Sequence, residues 1–108
     1  MEVVFINKSL KDLFLTGKEK GKPIYGKDLV KSYIKKVTII MGCAHSRDLV
    51  NFKSLHLEAL VKEKKYKGMH SIRVNDQYRL ILRFIKSSES IDKDIVEITE
   101  IHDLTDYH

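Results

Sequence analysis

The sequence predicts an α+β fold in which an N-terminal strand and two helices pack on one face of a twisted, mainly antiparallel sheet. Three observations lead there. Apolar residues at helical spacing end near Met41, apolar residues in alternation fill the second half, and a turn signal divides the run Gly68 to Phe84 into two arms. With 108 residues, 43% of them hydrophobic, the chain can bury one core but not two, so residues 1–108 are expected to form one domain.

Glu2 to Asn7 is β-branched and aromatic and reads as a first strand. Ser9 can cap a short helix carrying Leu10, Leu13 and Phe14, which Gly17 stops. The stretch from Lys18 to Pro23, rich in Lys and Gly, is an exposed turn. Leu29, Val30, Tyr33, Ile34, Val37, Ile40 and Met41 then make an amphipathic stripe opened near Asp28 and closed by Gly42. Val37 to Ile40 is β-branched enough for a strand, but the helical period runs through it. Cys43 to Phe52 is a connection with one helical turn at Arg47 to Val50, and Phe52 to Leu60 alternates around His56. Lys62, Lys64, Lys65 and Lys67, with Tyr66 among them as an exposed aromatic for nucleic acid, lead into the hairpin. Lys86 to Lys93 is a polar turn, and Ile95 to Ile101 is a strand with Val96 and Ile98 facing inward.

The hairpin fixes which side chains share a face. A two-residue turn puts the apolar sets of its arms on opposite faces. A three-residue turn at Asn75, Asp76 and Gln77 gathers Ile72, Val74, Tyr78, Leu80, Leu82 and Phe84 on one, and this register is preferred. It also sets Arg73 opposite Arg79, with Arg83 along the same open face. Like charges opposed across a strand pair are unfavourable, which points to an anionic partner or to acidic neighbours such as Glu97 and Glu100.

Twenty Lys and Arg against fifteen Asp and Glu give a net charge of +5, which favours polyanions without naming one. The lone Cys43 cannot form an internal disulfide, and MEVVFINKSLKDLF lacks the basic head and long apolar run of a signal peptide, so a cytoplasmic location is expected. No apolar run approaches the roughly 18 residues of a membrane span. Five scattered histidines and one cysteine give no metal-ligand spacing, so neither a metal nor another cofactor is expected.

Leu55-His56-Leu57 through Leu60, Lys67-Gly68, Ser71-Ile72-Arg73-Val74-Asn75, Gln77-Tyr78-Arg79 and the terminal Asp106-Tyr107-His108 together resemble the HigB toxins of the RelE/ParE superfamily. The likeness is dense from Phe52 to Arg83 and at the C-terminus and diffuse over the helical half. It implies a RelE-like fold and the toxin of a type II toxin–antitoxin module, a metal-independent endoribonuclease that enters the ribosomal A site and cuts mRNA. It further implies a HigA-like helix-turn-helix antitoxin, through which alone the toxin meets operator DNA, and no membrane. By the same resemblance His56, Asp106, Tyr107 and His108 stand at the cleavage site, and Arg73, Arg79 and Lys67 hold RNA phosphate. The residues Glu100 to Leu104 separate Thr99 from the terminal motif, where the family often has almost none, so His102 is a rival for the place given to His108. Without the resemblance, His56 reads as a core or rim histidine and His108 as a frayed end. Two other readings stay open: a ParE-like inhibitor of DNA gyrase with no nuclease activity, and a basic module that binds free RNA.

Overall fold

The computed structural model describes residues 1–87 and 96–106. Along the chain run β1 (Glu2–Phe5), α1 (Lys8–Thr16), α2 (Lys27–Gly42), β2 (Glu58–Ala59), β3 (His70–Arg73), β4 (Tyr78–Ser87) and β5 (Val96–Asp106). The five strands form one sheet in the order β1-β5-β4-β3-β2, antiparallel except where β1 lies parallel to β5. The polar turn expected over residues 86–93 lies, past Ser87, outside the described residues, as do Tyr107 and His108.

Helix α1 is capped two residues earlier than Ser9 suggests. Asn7 is the cap, its side-chain oxygen accepting from the Leu10 N–H at 3.3 Å, and Gly17 ends the helix in the left-handed conformation (φ 69°). Helix α2 carries its stripe through Val37 and Ile40, both fully buried, so burial on one helical face outweighs the local β-branched preference there. Its cap residue is Gly26, which has no side chain to offer. Glu19 braces the loop that leads into the helix instead, accepting from the N–H groups of Ile24, Tyr25 and Gly26 at 2.8, 2.9 and 3.1 Å.

The Tyr25 N–H is the largest influence on the Glu19 carboxyl; with those of Ile24 and Gly26 it outweighs burial and holds the group below its ordinary 4.5. A carboxylate favoured in the folded state adds stability above its unfolded pKa and loses it as pH falls through the lower folded value. Glu19→Gln is therefore expected to cost about 1 kcal/mol at neutral pH, the net scale of hydrogen bonds at a largely solvated group. Urea melts at pH 7 and pH 3 should show that difference at the first and not at the second.

The main core lies between the helices and one sheet face. Leu10, Leu13, Leu29, Val30, Tyr33, Val37 and Ile40 meet Ile72, Val74, Leu80, Leu82, Ile101 and Leu104. Two hydrogen bonds fix the layers: the Tyr33 hydroxyl donates to the Leu10 carbonyl at 2.6 Å, and the Ser32 hydroxyl to the Val74 carbonyl at 2.6 Å.

On β5 the inward phase is the reverse of the one expected. Glu97, Thr99 and Ile101 are buried and Ile98 is only half-buried. Glu97 tolerates burial because it accepts from the Ser46 N–H at 2.9 Å and lies 3.5 Å from His45 Nδ1. Burial pushes its carboxyl up, but the Ser46 bonds, with Lys86 and His45, bring it below the ordinary value. The ladder with β4 then slips: Ile81 pairs with Asp103 and Leu82 with Ile101, leaving His102 as a bulge. Through that extra residue Ile101 and Leu104, three apart, both reach the core.

The other sheet face is less open than the arginine pattern predicts. Register places Ser71, Arg73, Arg79, Ile81, Arg83, Asp103 and Thr105 on it. Ser71 and Ile81 are fully buried, as is nearly all of Leu60, whose N–H extends the β2–β3 ladder to the Met69 carbonyl at 2.9 Å. The lysine-rich segment crosses this face. Tyr66, expected as a free stacking platform, is half-buried there and donates its hydroxyl to Asp103 at 2.6 Å, with Lys65 over its ring at 5.3 Å. Burial, then the Asp103 bond, pushes the Tyr66 phenol up to about 12.

Candidate active site

At the hairpin end of that face, beyond Tyr66, lies an open cleft of about 290 Å³ lined by His56, Arg73, Asn75, Asp76, Gln77 and Arg79. Its shape follows from the turn. Arg73 pairs with Arg79, and Val74 N–H meets the Tyr78 carbonyl at 3.0 Å, leaving Asn75, Asp76 and Gln77 as the three-residue loop. The Asn75 side-chain oxygen accepts from the N–H groups of Gln77 and Tyr78 at 2.9 and 2.6 Å and closes the loop on itself.

His56 comes from the other side. Leu55, fully buried, anchors a 3-10 turn over Lys53–Leu55. The chain then reverses at His56 through φ 45°, ψ 54°, so the alternation visible around His56 yields a strand only at Glu58–Ala59. The histidine is exposed, and its N–H donates to the Lys53 carbonyl at 3.2 Å.

The two arginines are held differently. The Arg73 side chain is 40% exposed and pairs with the Asp76 carboxylate, which is 94% exposed; its Nε reaches the Asn75 carbonyl at 3.4 Å. The Arg79 side chain is 14% exposed. Its Nε donates to Ser71 Oγ at 2.7 Å, its Nη2 to the His56 carbonyl at 2.5 Å and the Ser71 carbonyl at 3.3 Å, and Glu58 lies 4.0 Å away. Asp76 and Glu58, not Glu97 and Glu100, thus balance these charges. Arg73 and Asp76 stand three apart in the chain, a spacing that could have shown it.

Of the other residues marked by the sequence, Asp106 ends β5 opposite Tyr78, exposed, and accepts from Gln77 Nε2 at 2.6 Å, which joins it to a cleft-lining residue. Gln77 was marked in the sequence by its place in the turn and in the Gln77-Tyr78-Arg79 piece of the family resemblance, but not as a site residue. Lys67 is exposed and absent from the cleft lining; it precedes Gly68, whose Cβ position lies 4.0 Å from Arg83. His102 occupies the bulge, bonded through Nε2 to Glu100 Oε1 at 3.0 Å, and does not line the cleft. Among the described residues no group of three or more His, Cys, Asp or Glu is placed to hold a metal ion, and no helix is long and apolar enough to cross a membrane.

The arrangement puts one imidazole and two guanidinium groups around a solvent-open hollow. Guanidinium forks bind phosphate oxygens in two-point fashion, and an exposed imidazole can take or give a proton near neutrality. Residues 3–99 match a family described as the RelE-like toxin of type II toxin–antitoxin system HigB. No curated protein matches the chain. Among solved structures it is similar to a YoeB/ParE toxin from Agrobacterium tumefaciens, with a TM-score of 0.55 and 14% identity over 100% of both chains. At that identity the likeness speaks for the fold alone. The family match ends before His102, Asp106, Tyr107 and His108.

Proposed function

The chain belongs to the HigB-like family of RelE-like type II toxins, and from that premise we propose that it is a ribosome-dependent endoribonuclease that cuts translated mRNA without a metal ion. Membership in a type II module brings an antitoxin as partner; the reading makes it a HigA-like helix-turn-helix protein that carries the toxin to operator DNA. The site of action is the ribosomal A site, in the cytoplasm, and the whole chain acts as one domain.

What carries the reading is the meeting of His56, Arg73 and Arg79 in one cleft, with Asp106 tied to its rim through Gln77. Tyr107 and His108 follow Asp106 directly. Two residues of chain span up to about 7 Å, enough to bring an imidazole from Asp106 toward a phosphate in the cleft. One histidine removes the proton of the ribose 2′-hydroxyl, whose oxygen attacks phosphorus. Guanidinium charge stabilises the five-coordinate phosphorus, and the second histidine protonates the departing 5′ oxygen, leaving a 2′,3′-cyclic phosphate and a 5′-hydroxyl. Asp106 orients an imidazole and Tyr107 stacks on a base.

Primer extension on a message translated with purified ribosomes tests this. Wild-type protein is expected to cut within codons, with little cutting of the same RNA without ribosomes, because the ribosome supplies the alignment. Arg73→Ala should lower the rate on the order of 10²-fold or more, as loss of a transition-state donor does. Lys67→Ala should change it by less than about tenfold, since an exposed lysine is screened by salt. An intact message with gyrase-linked DNA breaks would replace the reading by a gyrase inhibitor. Salt-sensitive binding of free RNA without cutting would replace it by a binding module.

A further inference from the structure

The register that opposes Arg73 and Arg79 makes them look equivalent, but their surroundings are not. Arg73 is held by the carboxylate of Asp76, itself almost wholly in water. A phosphate can displace that carboxylate at little cost, because water takes over its solvation. The Arg79 guanidinium is mostly buried; Glu58 stands off at 4.0 Å, and the hydrogen bonds of its Nε and Nη2 go to neutral acceptors of the fold: the hydroxyl and carbonyl of the fully buried Ser71, and the carbonyl of His56. Turning these donors to a ligand would strand the buried Ser71 hydroxyl and release the His56 carbonyl.

The carbonyl it grips belongs to an unusual residue. Among the described residues His56 is the one non-glycine with positive φ. Such a conformation persists only where the surroundings impose it. Three restraints act here: buried Leu55 before it, the Lys53 carbonyl on its N–H, and the Arg79 guanidinium on its C=O.

We propose that Arg79 is a positioning residue that holds the His56 peptide in its left-handed turn and so aims the imidazole into the cleft, leaving Arg73 as the group that grips phosphate. The proposal rests on the nuclease reading for its kinetic consequence, though not for its structural one. Ser71, set on the strand so that its hydroxyl meets Arg79 Nε, is the anchor that fixes the guanidinium.

The test compares full-length wild type, Arg79→Lys, Arg73→Lys and Ser71→Ala. A lysine keeps the charge, but its single nitrogen cannot serve Ser71 Oγ and the His56 carbonyl together. In single-turnover cutting on programmed ribosomes, Arg79→Lys is expected to lower the saturated rate on the order of 10²-fold, the scale of a misplaced catalytic group. The toxin concentration at half-saturation should stay within about twofold. Arg73→Lys should instead raise that concentration. In the nuclear magnetic resonance spectrum of the free protein, the His56 imidazole signals should shift in Arg79→Lys and in Ser71→Ala and stay in place in Arg73→Lys. If Arg79→Lys fails to fold, Ser71→Ala, which leaves the charge intact, decides by the same two readouts. Weaker half-saturation with an unchanged saturated rate and unmoved His56 signals would make Arg79 a phosphate ligand and overturn the proposal. Absence of cutting by wild type would defeat the nuclease reading alone, and the His56 signals would still decide the role of Arg79.

Discussion

Replacing His56 by Ala is expected to lower message cutting on translating ribosomes by roughly 10²- to 10⁴-fold, the usual contribution of a proton-transfer group. His108→Ala should fall in the same range. The double variant should be little worse than the poorer single one, because an acid and a base that act in one transition state fail together. Each single variant should also lose one limb of the bell-shaped pH profile of the saturated rate, and which limb is lost tells base from acid. His56 needs a second control, since its backbone is left-handed (φ 45°). Glycine occupies that region without strain, whereas alanine costs roughly 1–2 kcal/mol there. His56→Gly should therefore be as inactive as His56→Ala while melting higher. Equal inactivity at unequal stability isolates the imidazole from the turn that carries it; near-normal cutting by both His56→Ala and His108→Ala would remove the pair from the mechanism.

How far the cleft could be read in advance depended on whether a local rule fixed the geometry. The hairpin arms were legible because only a three-residue loop gathers Ile72, Val74, Leu80 and Leu82 on one face, and that choice alone sets Arg73 against Arg79. The helices were legible from their period, with the cap misplaced by two positions because Asn7 and Ser9 are both good acceptors. Two things escaped. The covering of the outer face depends on a contact between residues 66 and 103, and no local pattern encodes a bond over that separation. The phase of β5 escaped because the sequence from Ile95 to Ile101 offers apolar residues on both alternations, and Glu97 gave no hint of its partners at His45 and Ser46. The left-handed turn at His56 was hidden for the opposite reason: its neighbours alternate well enough to suggest a strand, and the buried Leu55 decides otherwise.

The bulge offers a sharp test of how β5 delivers the chain end. Deleting His102 is expected to leave the fold and the path to Asp106 nearly intact, and so is His102→Ala. In the deletion, Asp103 follows Ile101 directly, so regular alternation keeps Asp103 on the outer face opposite Ile81 and Leu104 in the core opposite Leu80. Losing the bulge while keeping His102 would instead reverse that phase. Moving Leu104 out of a site where it is 4% exposed would cost about 1.5–3 kcal/mol, and burying the Asp103 carboxylate, parted from the Tyr66 hydroxyl, would add several more. Against the 5–15 kcal/mol typical of such domains, that sum takes half or all of the stability, so the bulge is what lets the chain carry the extra residue. Keeping the residue but trimming its side chain removes only a partly buried pair with Glu100 at 3.0 Å, a change of about 1 kcal/mol or less. Urea melts of the two variants beside their cutting rates separate the possibilities. An unfolded deletion would mean that the extra residue does more than bridge two stretches of ladder already in phase. An alanine variant that folds like wild type yet no longer cuts would move the second proton-transfer role from His108 to His102, because trimming the ring leaves the ladder, the core and the path to Asp106 unchanged.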